Sequence, residues 1–221
     1  MIVWVFKGKF EYFNIIIIKE EMKLSINGLS FSYIDKKIFE GLSLNLLSKN
    51  ISVLIGRNGA GKSTLLRIIA GLEEQDKGEL NLRDNSNDKV PFRGNISYLG
   101  HKLALKEELS VQENITFWER FYNCRLPYDD YKNLGMEDLG LQKVEDLSQG
   151  QKKKVALFRI IMANKKIWLL DEPLSNLDEH TTDYFKNYLL SKIHDNKLII
   201  VTSHARLNMK KESAIYIGEK L

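Results

Sequence analysis

Cysteine occurs once in this 221-residue chain, at Cys124, so an internal disulfide and a cysteine-rich metal site are both excluded and a reducing compartment fits. Long apolar runs are missing too. No stretch of eighteen apolar residues exists to span a bilayer. Charge of one sign is scarce: 33 Lys and Arg against 29 Asp and Glu leave a formal net charge of +4. The two signs are interspersed, so no nucleic-acid partner is implied, and only a mild attraction to anionic lipid is compatible. There is no N-K-x-D motif to read a guanine base and no C-x-x-C-H haem attachment motif, and the four histidines have no pairing at ligand spacing. What remains, 43% apolar and 28% charged, is the composition of one globular unit rather than of two full domains.

What the chain does have is one dense motif. In residues 50–71, NISVLIGRNGAGKSTLLRIIAG, an apolar run breaks into a glycine-rich turn and then into helical spacing at Leu65, Leu66, Ile68 and Ile69, which predicts strand, loop and helix. Gly56, Gly61, Lys62 and Ser63 satisfy G-x-x-x-x-G-K-[ST], the phosphate-binding P-loop. Glycines let backbone wrap around an anion. The amides of Gly59, Ala60, Gly61, Lys62, Ser63 and Thr64, in a loop that includes Arg57 and Asn58, are therefore candidates to face a β-phosphate at a helix N-terminus. Lys62 would reach the β- and γ-phosphates, and the Ser63 hydroxyl would complete Mg²⁺ coordination. The plainer alternative is a glycine-rich turn with no ligand; the strand before, the helix after and all four fixed positions argue against it.

Residues 1–22 mix apolar residues with charges at Lys7, Lys9 and Glu11 and show no small-residue cleavage site after the isoleucine run. They read as an extension outside the core fold, with a short membrane-surface anchor as the alternative. After Lys23, LSINGLSFSY alternates apolar and polar residues, and LSLNL at 42–46 does so again, which predicts an antiparallel pair. Tyr33 lies between them, where an exposed ring could stack on a purine; taken alone, a tyrosine at a strand end is more often packing. GELNLR at 78–83 is a further strand, 84–89 a loop, and ISYLG at 96–100 a short strand leading to His101.

Ser110 with Glu113 makes a capping box for a helix carrying Phe117, Trp118, Phe121 and Tyr122, two i, i+4 pairs that suit a core or, on one face, a partner. Residues 104–163 thus read as a small helical subdomain inserted into the α/β core. Within it, Ser148 with Gln151 makes a second capping box, whose first turn exposes Gly150 and backbone amides as a second potential anion site. IWLLDEP at 167–173 is an apolar strand ending in two carboxylates and a proline. Asp178 heads a helix through about 192, LIIVTSH at 198–204 is another buried strand, and AIYIG at 214–218 is the last.

In an open parallel sheet, ligands sit at the carboxyl ends of the strands. Three apolar strands here end in the P-loop, in Asp171 with Glu172, and in His204. Asp171 suits Mg²⁺ coordination beside Ser63. Glu172 can face a water in line with the γ-phosphate and act as general base, a role worth typically about 10² to 10⁴ in rate. Alone, an Asp-Glu pair is as readily a solvated turn, and a histidine after a strand often caps the next helix. The expected fold class is α/β: a P-loop NTPase core with a mostly parallel sheet, an antiparallel β subdomain on its N-terminal side, and the inserted helical subdomain.

Over essentially all of residues 23–218 the sequence resembles the ATP-binding subunits of ABC transporters. GRNGAGKST matches the Walker A motif, LSQGQ the signature motif, IWLLDE the Walker B motif, SNLD at 175–178 the D-loop and VTSH the switch histidine. The resemblance implies that Tyr33 stacks on the base, that Glu172, His204 and Lys62 carry the chemistry, and that Ser63, Asp171 and His101 attend the metal. It also implies a homodimer closing head-to-tail over two ATP molecules, with Ser148, Gly150, Gln151 and Asp178 completing the nucleotide site. Two positions depart from the usual pattern: Gln149 stands where the signature has glycine, and His101 where a glutamine senses the γ-phosphate and Mg²⁺.

ISYLGHKLALKEELSVQENITFW is similar, more narrowly, to the ATP-binding proteins of the bacterial haem exporter of cytochrome c maturation. That implies an ATPase of the translocase class, peripheral on the cytoplasmic face of the inner membrane, driving separate transmembrane subunits and binding no haem and no nucleic acid itself. The alternatives are another ABC transporter, a soluble non-transport ABC ATPase, and a non-hydrolysing regulator. One P-loop and a short insert weigh against the second, Glu172 and His204 against the third.

Overall fold

Apolar runs without polar alternation, as strands buried on both faces require, form the centre of the molecule. The computed structural model describes residues 2–3, 16–17, 21–34, 36–84 and 86–218. In chain order the strands are β1 (Ile2–Val3), β2 (Ile16–Ile17), β3 (Lys23–Tyr33), β4 (Lys36–Leu47), β5 (Ile51–Ile55), β6 (Lys77–Arg83), β7 (Ile96–Leu99), β8 (Ile167–Leu170), β9 (Leu198–Ser203) and β10 (Glu212–Tyr216). The helices are α1 (Lys62–Ile69), α2 (Val111–Tyr122), α3 (Tyr128–Asn133), α4 (Gln149–Ala163) and α5 (Glu179–His194). The extension expected at 1–22 lies mostly outside the described residues; β1 and β2 pair antiparallel within it. Met22, its last residue, is buried and exchanges hydrogen bonds with Ser48, so the β layer begins there.

Five strands form a parallel sheet in the order β10-β5-β9-β8-β7. Side chains alternate between its faces, which gives the sheet two apolar cores. Ile51, Val53, Ile55, Trp168, Leu170, Ile199 and Val201 pack against α2, α4 and α5. Leu54, Ile167, Leu169, Leu198 and Ile200 pack against α1 and against an antiparallel sheet ordered β4-β3-β6. That second sheet contributes Leu24, Ile26, Leu29, Phe31, Phe39, Leu46 and Leu82. Strand β4 is longer than the predicted 42–46, because its first half pairs with the far end of β3 across register shifts between Ile26 and Ser32 that break simple alternation.

Both predicted capping boxes form. The Ser110 and Ser148 hydroxyls accept the amides of Glu113 and Gln151, whose side chains return to the cap amides. Helices α2 and α4 pack together, and Asn114 fastens the loop before α2 by bonding both the amide and the carbonyl of Lys106. The four aromatics of α2 divide by face. Trp118 and Tyr122 pack on the core, while Phe117 and Phe121 are exposed.

Candidate functional site

The P-loop leaves β5 at the carboxyl edge of the parallel sheet and enters α1 through Gly61, whose φ is +97°. A Cβ there would lie 2.7 Å from both Ile38 and Phe39 of β4, so the antiparallel layer presses directly on the loop and only glycine fits. Lys62 is buried. Its ammonium donates to the Gly56 carbonyl at 2.7 Å and the Arg57 carbonyl at 3.2 Å.

Beside the loop opens a cleft of about 550 Å³ lined by Tyr33, Lys36, Ile38, the loop from Asn58 to Thr64, His101, Glu172 and His204. Residues from the ends of β3, β5, β7, β8 and β9, scattered over the chain, thus meet on one rim. Tyr33 is 39% exposed, stands edge-on to Phe31 and donates its hydroxyl to Glu73 at 3.3 Å, which leaves a ring on the cleft wall.

Glu172 adopts a left-handed backbone, φ +47°. Its Oε1 lies 3.0 Å from His204 Nε2. Asp171, directly before it, is buried at the end of β8. Its Oδ1 accepts the Thr202 hydroxyl at 2.6 Å, and Thr202 Oγ1 in turn accepts the Glu172 amide at 2.8 Å. The other carboxylate oxygen, Oδ2, is buried without a hydrogen-bond donor, and the exposed His101 imidazole stands 3.4 Å away. A buried carboxylate oxygen left without a donor is costly, and a cation would satisfy it. Ser63 and His101 line the cleft whose floor Asp171 adjoins through Glu172, and these residues fit a Mg²⁺ ion.

Ser148, Gly150, Gln151 and Asp178 do not join this cleft. Ser148 and Gln151 cap α4. Asp178 caps α5 by accepting the Thr181 amide, and Lys154, 2.7 Å away, holds its carboxyl far below the usual carboxylate range together with that amide. Gly150 abuts the Asn176 carbonyl.

Sequence reasoning did not single out Lys36 and Ile38 on the cleft wall, nor Thr202 and Lys153 behind it. Thr202 carried a signal, as the first polar residue in the apolar run of β9. Lys153 carried none, being the middle of three lysines. Its buried ammonium donates to the Glu172 carbonyl at 3.0 Å and to Ser175 Oγ at 3.2 Å.

A phosphate-binding loop after β5, a parallel sheet, and carboxylates at the end of β8, one strand beyond β9, define the class: a P-loop α/β protein that binds ATP. Within that class the chain belongs to the ABC transporter family, whose profile matches residues 39–175. It is 35% identical over 196 residues to a cytochrome c biogenesis ATP-binding export protein CcmA of Bartonella quintana, an alignment covering 88% of this chain and 94% of that protein. The protein of the same name from Rickettsia felis is 31% identical, with 88% and 99% covered. Among solved structures, a putative ABC transporter ATP-binding protein from Pyrococcus furiosus superposes with a TM-score of 0.71 at 26% identity, over 87% of this chain and 96% of that one. A dimeric post-hydrolysis ATP-binding cassette bound to ADP and Pi superposes with a TM-score of 0.69 at 23% identity, over 88% and 94%, a likeness of fold.

Proposed function

We propose that this chain is the ATP-hydrolysing subunit of the cytochrome c biogenesis haem exporter, seated on the cytoplasmic face of a bacterial inner membrane and powering separate transmembrane subunits. The names of its relatives, cytochrome c biogenesis ATP-binding export proteins, support a part in export during cytochrome c biogenesis. The contact between Glu172 and His204 at the mouth of the P-loop cleft carries the chemistry.

Tyr33 stacks on the base, and the P-loop amides with Lys62 hold the phosphates. Ser63 and Asp171, with His101 alongside, would hold Mg²⁺, which would neutralise phosphate charge. Glu172 takes the proton of the attacking water as the bond to the γ-phosphorus forms and the bond from that phosphorus to the β,γ-bridging oxygen breaks, and His204 keeps that carboxylate in place. The products are ADP and phosphate. Ser148, Gly150, Gln151 and Asp178, which lie off this cleft, serve in this reading the site of a second copy, in a homodimer that closes head-to-tail over two ATP molecules.

Glu172→Gln keeps the shape and removes the base. It is expected to bind ATP, stall hydrolysis and accumulate as a closed dimer, and wild-type turnover in that variant would refute the assignment. Cargo is tested by the membrane proteins that co-purify with the chain. Partners unrelated to cytochrome maturation would move it to another ABC transporter.

A further inference from the structure

Glu172 has to hold an unfavourable backbone and aim its carboxylate at once. A left-handed φ in a residue with a Cβ persists only where the surroundings over-determine it. Here both flanking peptides are held. The Glu172 amide donates to Thr202 Oγ1, and the Glu172 carbonyl accepts from the Ser175 amide at 3.2 Å, from Ser175 Oγ at 2.9 Å and from Lys153 Nζ at 3.0 Å. The Ser175 donors belong to the same turn as Glu172. Of the three groups that reach this carbonyl, only Lys153 comes from another element, the second turn of α4.

Lys153 is 7% exposed. Burial pushes its pKa down against the pull of the Glu172 and Asp171 charges, so the chain keeps an ammonium in a place where solvation is lost. The flanking contacts show what it is fastened between. A Cβ on Gly150 would lie 2.3 Å from the Asn176 carbonyl oxygen, and Lys154 sits 2.7 Å from Asp178 Oδ2. The first two turns of α4 are thereby tied at three points to residues 172–178, and Lys153 is the point that touches Glu172.

We propose that Lys153 is a positioning residue for Glu172: from α4 its ammonium fixes the Glu172 peptide and couples the turn carrying Ser148 and Gly150 to the aim of the Glu172 carboxylate. The inference rests on Glu172 being the general base. Its consequence is directional. A second copy that docks on the exposed N-terminal turn of α4 shifts that helix, and the shift arrives at the base of the same chain through one side chain, with no contact between the docking partner and Glu172.

The test is a pair of variants in the full-length chain. Lys153→Met keeps the length of the lysine stem as far as Cε and donates nothing; Lys153→Gln reaches about as far as methionine, one atom short of lysine, and donates. With positioning by hydrogen bond, Lys153→Met loses about tenfold or more in kcat while KM for ATP and nucleotide affinity stay within about twofold, and Lys153→Gln recovers most of the loss. A packing role gives the reverse order. Independently of turnover, the crystal structure of Lys153→Met should show Glu172 out of its left-handed conformation and its carboxylate parted from His204. Glu172 unmoved in that structure, or wild-type kcat in Lys153→Met, overturns the coupling. Failure of the underlying reading looks different: Glu172→Gln would then turn over normally while the Lys153→Met structure still shows the displaced backbone.

Discussion

The Thr202 hydroxyl lies 2.6 Å from Asp171 Oδ1, between two neighbouring strands of the parallel sheet, and the same oxygen accepts the Glu172 amide at 2.8 Å. One side chain therefore orients the buried carboxylate and the backbone of the residue after it. Thr202→Val has nearly the same shape and neither donates nor accepts. It leaves a buried carboxylate oxygen and an amide without their partner, at a cost of about 1–3 kcal/mol. The expected result is a thermal midpoint lower by several degrees and a reduced kcat, with Thr202→Ser retaining most of both. A valine variant that melts with the wild type would show that the hydroxyl is dispensable.

Gly150 needs its missing side chain for a reason inside its own chain. A Cβ would meet the Asn176 carbonyl oxygen at 2.3 Å, and a backbone atom in the 172–178 turn cannot swing aside as a flexible side chain would. Gly150→Ala is expected to destabilise by about 1–3 kcal/mol, as overpacking does. The exposed neighbour Gln149 is the control, since Gln149→Ala should stay within about 0.5 kcal/mol of wild type. Chemical denaturation of the three chains decides it; equal stabilities of the two variants would remove the steric argument.

How far the sequence can be read depends on how far apart the interacting residues stand. The capping boxes of Ser110 with Glu113 and Ser148 with Gln151 each span three residues, and both were legible because the spacing is the mechanism. The P-loop, the Asp171 and Glu172 pair and His204 were legible because apolar strands point to their own ends. The links from Thr202 to Asp171 and from Lys153 to Glu172 were not, because they cross between elements and depend on strand order and helix rotation. Three lysines in a row look alike in sequence. In the fold Lys153 is buried under a carbonyl while Lys154 reaches an N-cap carboxylate. Nor could the sequence place Gly61 against Ile38 and Phe39, since that contact exists only when the antiparallel layer lies on the P-loop.

Lys197 supplies a pH dependence. Its buried ammonium donates to the carbonyls of Asn164 and Lys165 at the end of α4 and lies 5.4 Å from the Trp168 ring centroid. Burial, reinforced by the nearby Lys192 charge, pushes its pKa down to about 8. In the unfolded chain a lysine titrates near its ordinary value of about 10.4. Between those values the unfolded state holds more protons than the folded one, so this group makes stability rise as pH increases through the window from 8 to about 10. Across that window the thermal midpoint of the wild type should gain steadily on that of Lys197→Met as pH rises. Parallel curves would show that Lys197 titrates normally in the fold.

Lys62 now spends its ammonium on its own loop, donating to the carbonyls of Gly56 and Arg57. Those contacts satisfy a buried cation, and a nucleotide phosphate offers the same donors a charged acceptor, which is stronger. ATP at a hundred times its dissociation constant should stabilise the wild-type chain by about 2.7 kcal/mol, or roughly 5–10 °C in thermal midpoint. Lys62→Ala also loses the carbonyl contacts and melts lower without any ligand, so the measurement that decides is the difference between scans with and without ATP, not either midpoint alone. That difference is expected to vanish in Lys62→Ala. If it survived, the loop amides and Ser63 would be holding the phosphates by themselves, and the lysine would be a strut of the empty loop rather than a phosphate ligand.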